Sequence, residues 1–98
     1  MFLVLLRFAD NQSRASQFME AHKAWIQRGF AEGVFLLLGN LEPKQGGAII
    51  AHDTSRAELE QRVNDDPFVA QGIVSAEILE ITPSRANQRL SFLIAQEL

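Results

Sequence analysis

The stretch FLVLLRF, residues 2–8, decides the fold. It is short and aliphatic, and both of its alternating faces are apolar: Phe2, Val4, Leu6 and Phe8 on one side, Leu3 and Leu5 on the other. That is the pattern of a strand with cover on both faces. The next stretch, QSRASQFMEAHKAWIQRG at residues 12–29, has another period. Ala15, Phe18, Met19, His22, Trp25 and Ile26 recur three and four residues apart, the stripe that a helix buries. Gly29 or Gly33 closes it.

Outward from this strand and helix, residues 34–38 form a second apolar run, and residues 48–52 a third. The loop between them, residues 40–47, holds Pro43 and the Gly46-Gly47 pair. Ser55-Arg56-Ala57-Glu58 has the capping-box pattern and starts a second helix with Leu59 and Val63 on one face. Asp66-Pro67 reads as a helix cap followed by proline at the first helical position, a single turn ending near Gly72. Residues 74–82 form the last strand, stopped by Pro83. In the tail, residues 84–98, Ala86, Leu90, Leu93, Ile94 and Glu97 fall at helical spacing and predict an extra C-terminal helix.

The order strand, helix, strand, strand, helix, strand, with right-handed crossovers, is an α+β, ferredoxin-like βαββαβ fold: a four-stranded antiparallel sheet with both main helices on one face. The whole chain, residues 1–98, reads as one domain with no repeat or linker. Because Leu3 and Leu5 make the uncovered sheet face apolar, a homodimer through that face is expected, open to extension into a larger assembly.

With 47% hydrophobic and 21% charged residues the composition is that of a globular protein. Net charge is −3 and the nine basic residues are scattered, which argues against nucleic acid or an anionic membrane as partner. Cysteine is absent, so disulfides, thiolate metal sites and cysteine nucleophiles are excluded. No run approaches the roughly 20 apolar residues of a membrane span, and the apolar start is too short for a signal segment, so the expected location is cytoplasmic.

His22 is the candidate for chemistry. An imidazole inside an apolar stripe faces the core or a pocket cut into it, and both require a partner. One reading is a core histidine between Phe18 and Trp25; the other is an acid–base group whose tautomer is fixed by a carboxylate. Asp66 is a candidate partner, equally explained as an N-cap worth about 1 kcal/mol, and Asp65 competes for either role. Both roles can coexist, with one carboxylate oxygen on backbone N–H groups and the other on His22. Trp25 and Phe68 are core residues or apolar walls for a planar substrate. Arg14, like Arg7, is a cation for a carboxylate substrate or plain solvated charge. Gly46-Gly47 fits the hairpin better than a phosphate site. His52 reads as a surface residue, and a metal site from His22, His52 and an aspartate matches no local spacing. No Ser-His-Asp order with a nucleophile elbow is present.

Together these residues resemble the YciI-like (YCII-related) proteins of the dimeric α+β barrel superfamily. The resemblance rests on the apolar first strand with Asp10 after it, His22-Lys23-Ala24-Trp25, Gly33, Gly39, Gly46-Gly47, Ser55 and Asp66-Pro67-Phe68. Where the family often has Gly-Pro, this chain has Gly39-Asn40. The resemblance covers residues 1–83; the tail from Ser84 lies outside it. It implies a dimer with sheets face to face and, in each subunit, a cleft between helices and sheet holding His22 and Asp66 as the active pair. A few such relatives act on small ring compounds, for instance in dehydrochlorination, and muconolactone isomerases and haem-degrading monooxygenases share the superfamily.

The expectation is a small-molecule enzyme using His22 and Asp66 for proton transfer on a small cyclic or aromatic compound, as an isomerase, lyase or dehydrochlorinase, with no cofactor and no metal. Trp25, Phe68 and Arg14 are the expected substrate contacts. The alternative is a non-catalytic protein binding a small ligand in the same cleft.

Overall fold

The computed structural model describes residues 1–94. Strand β1 spans Phe2–Phe8, and a 3-10 turn at Gln12–Arg14 leads into helix α1, Ala15–Ala31. Strands β2 (Phe35–Leu41) and β3 (Gly46–Ala51) form a hairpin, followed by helices α2 (Arg56–Asn64) and α3 (Pro67–Ala70) and strand β4 (Val74–Glu80). The sheet order is β2-β3-β1-β4, antiparallel at every pairing, which is the ferredoxin-like arrangement.

The local reasons match the sequence signals. Ser55 accepts a hydrogen bond from the Glu58 backbone N–H at 3.1 Å, and the Ser55 backbone N–H donates to the Glu58 carboxylate, so the capping box closes both ways. Phe2, Val4 and Leu6 are buried on the helix side of β1, beside Ile49 and Ala51 of β3 and Val74 of β4. Trp25, Leu59, Val63 and Phe68 close this core from the helix layer. α1 lies close on β2 because Gly29 carries no Cβ, which would sit 2.1 Å from the Phe35 ring. On the opposite sheet face Leu3, Leu5 and Ile50 are half-buried, while Leu37 and Leu79 are exposed.

The tail differs from expectation. Its helical segment is a 3-10 run, Gln88–Leu93, begun by Asn87, whose side-chain oxygen accepts from the Arg89 N–H at 3.0 Å. Leu90 and Phe92 are exposed, and Phe92 meets the His52 ring edge-on at 5.6 Å. A short segment without a surface to bury its apolar stripe gains too little to propagate an α-helix. Glu97, the last residue of the expected stripe, lies outside the described residues. No described helix is long and apolar enough to cross a membrane.

Candidate active site

Helix α1 supplies His22, and the corner between α2 and α3 supplies Asp66, 44 residues later. Asp66 has extended backbone geometry (φ −63°, ψ 122°) and caps α3, its Oδ1 accepting from the Phe68 N–H at 3.0 Å with Pro67 at the first helical position. The same Oδ1 lies 2.7 Å from His22 Nδ1. The expectation that each carboxylate oxygen would serve one partner is corrected: both donors converge on Oδ1, and Oδ2 is buried without a donor among the described residues. Asp66 is 0% exposed. Asp65 is exposed and ends α2 as its C-cap, so Asp66 takes both roles that the two aspartates compete for.

A carboxylate only accepts, so His22 Nδ1 donates to Oδ1, and in the neutral ring this tautomer leaves the Nε2 lone pair free. The imidazole lies flat on Phe68, with centroids 3.9 Å apart and planes 2° from parallel. His22 lines a cleft of about 410 Å³ between α1 and the end of the sheet. Leu6, Phe8, Met19, Ile26, Leu38, Phe68 and Val74 make the apolar wall, and His22, Lys23 and Asn40 are its polar groups. That volume falls in the range of small-ligand pockets.

Helical geometry explains which neighbours join His22. At about 100° per residue, Ile26, Met19 and Lys23 fall to one side of His22, and Trp25 falls about 60° to the other. Trp25 therefore does not line this cleft. It is buried at 2% exposure, donates from Nε1 to the Arg62 carbonyl at 2.8 Å and meets the Phe35 ring edge-on. Arg14 is also outside the cleft, exposed at the start of α1 with its guanidinium 5.3 Å from the Phe18 ring centroid. Phe68 does line it. Lys23, Asn40 and Gly47 are lining residues that received no such role from the sequence. For Lys23 the signal was present, because the helical wheel around His22 places it on the Ile26 side. His52 sits beyond β3 against Phe92, away from His22. Among the described residues no group of three or more histidine, aspartate or glutamate side chains is placed to hold a metal ion.

This arrangement can take a proton at Nε2 and hold the resulting imidazolium against a buried carboxylate. The fold is similar to that of 5-chloro-2-hydroxyhydroquinone dehydrochlorinase from Burkholderia phenoliruptrix, solved in complex with 2,5-dihydroxybenzoquinone. The TM-score is 0.66 at 16% identity, over 83% of this chain and 93% of that one. No curated protein matches the chain. The model of the YCII-related domain matches residues 1–83, through all four strands and the corner that holds Asp66, and the chain belongs to that family.

Proposed function

We propose that the protein is a small-molecule enzyme in which His22 and Asp66 carry out acid–base chemistry on a small cyclic or aromatic compound. The observation that carries this reading is the 2.7 Å contact of His22 Nδ1 with Asp66 Oδ1, made where the imidazole borders an apolar cleft. In the proposed step Nε2 takes a proton from a carbon or hydroxyl of the ring, while Nδ1–H stays on Oδ1. Returning the proton to another ring atom completes an isomerisation. In an elimination, a leaving group such as chloride departs with its bonding pair and the proton passes to solvent. The similarity to a dehydrochlorinase of a chlorinated hydroquinone supports the ring-compound class.

The active form is a homodimer joined through the open sheet face. Leu37 and Leu79, at 53% and 40% exposed, together with half-buried Leu3, Leu5 and Ile50, form an apolar surface that a second copy would bury.

The test is turnover of a panel of chlorinated hydroquinones and unsaturated lactones by the natural protein and by His22→Gln. Turnover that is lost in the variant, with binding largely kept, supports the proposal. Binding without turnover in the natural protein overturns it and leaves a ligand-binding protein.

A further inference from the structure

The two glycines that open β3 do different work. Gly46 is required by the backbone: its φ is +132°, and a Cβ there would sit 1.9 Å from the Leu6 carbonyl oxygen. Gly47 has no such requirement. A Cβ at residue 47 would meet nothing nearer than the Gly39 carbonyl oxygen at 3.5 Å, an ordinary contact. Alternation along β3 aims that Cβ to the side of Ile49 and Ala51, toward the helices, where Gly47 pairs with Leu6 across the sheet. That space is the cleft, whose lining includes Gly47. Glycine weakens a strand interior, and what residue 47 provides in exchange is a floor of bare backbone.

Charge supplies the second observation. Among the described residues, Lys23 is the only lysine or arginine that lines the cleft, and no carboxylate lines it. Glu20 lies 4.0 Å from the Lys23 ammonium on a side chain that is 93% exposed, so solvent screens the pair. Asp66 is engaged behind the His22 ring. A cation at the mouth of an apolar slot concentrates anions there.

Resting on the acid–base reading of this cleft, we propose that Gly47 sets the depth that admits a flat ring, and that Lys23 selects rings carrying an ionised oxygen, whether phenolate, enolate or carboxylate. Such an oxygen, paired with the ammonium, anchors the ring one residue along the helix from the base.

Benzoate and benzamide, alike in shape and different in charge, test this when titrated against the protein with the His22 ring resonances as readout. Benzoate is expected to bind about threefold more tightly than benzamide, the worth of an ion pair with an ammonium whose side chain is 65% exposed. Lys23→Met should remove that preference and leave benzamide unchanged, while Lys44→Met, in the β2–β3 turn, should alter neither. Gly47→Val should weaken both probes by about tenfold or more by overfilling the floor. Gly47→Ala, whose Cβ fits at 3.5 Å, should weaken them less and serves if valine distorts the strand. A preference that survives Lys23→Met, or natural affinity in both Gly47 variants, overturns the inference and leaves the acid–base reading standing. If neither probe moves His22 at any soluble concentration, the cleft is no ring site and both fall.

Discussion

One oxygen atom of Asp66 holds both His22 and the helix that carries Phe68. His22 Nδ1 lies 2.7 Å from it and the Phe68 N–H 3.0 Å, and the two residues held in this way stack their rings at 3.9 Å. The orientation of the imidazole is thus set from its edge by a carboxylate and from its face by an aromatic ring.

Removing Asp66 should separate these duties. Asp66→Ala loses the cap and leaves His22 without its partner, a cost of about 2–3 kcal/mol in urea denaturation. Asp66→Asn keeps a capping oxygen and should cost about half as much. The one oxygen that serves both donors is then neutral, so the cap and the imidazole tautomer are kept while the charge opposite the imidazolium is lost, and turnover should fall, though less than in the alanine variant. Nitrogen chemical shifts of His22 report the tautomer directly.

Phe68→Leu should leave the fold intact at a cost of about 1–2 kcal/mol, because an apolar side chain of lower volume remains in the core. The His22 ring protons, now shielded by the face of Phe68, should move downfield. Turnover should drop more than binding, since the imidazole is free to tilt away from its working angle.

Trp25→Phe addresses the core alone. It removes one donor to the Arg62 carbonyl, which keeps the Asp65 N–H at 3.1 Å, and leaves a void beside the smaller ring, together about 1–3 kcal/mol. That corresponds to a melting temperature lower by about 5 to 20 °C. Trp25 does not line the cleft, so KM should be unchanged, and a raised KM would place its indole against the substrate after all.

Leu37→Glu and Leu79→Glu test the open sheet face. Both side chains are exposed, so the subunit should keep its stability within about 0.5 kcal/mol while a dimer built on this face dissociates. Sedimentation velocity distinguishes the species. A natural protein that sediments as a monomer would refute the proposed assembly.

Most of the fold was legible because each element carries its own period or cap. β1 occupies Phe2–Phe8, as its alternation indicates, and the capping box at Ser55 starts α2. Helix α1 begins later than the stripe suggests, since Gln12–Arg14 form a 3-10 turn before it. The tail misled for a physical reason: spacing records where apolar residues would align, and only a packed surface turns that alignment into an α-helix. At the site, sequence pointed to both His22 and Asp66 but could not bring them together. The distance depends on how α1 crosses the α2–α3 corner, which is a tertiary fact. Of the two readings of Trp25, core residue or substrate wall, its burial and its place outside the cleft lining favour the core. The wheel puts Trp25 and Lys23 on opposite flanks of His22. Gly47 was hidden behind Gly46, whose turn chemistry accounted for the pair.

The double attachment at Asp66 also shapes how such a protein can change over time. A lineage without proton transfer would still need an acceptor to begin α3, so selection for folding alone would preserve a capping residue there, aspartate, asparagine, serine or threonine. His22 is under no comparable obligation: on the flank of α1 it could give way to leucine or glutamine, provided that Asp66 acquired another donor. Relatives that only bind a ligand should therefore differ first at position 22, while position 66 keeps a residue able to cap α3.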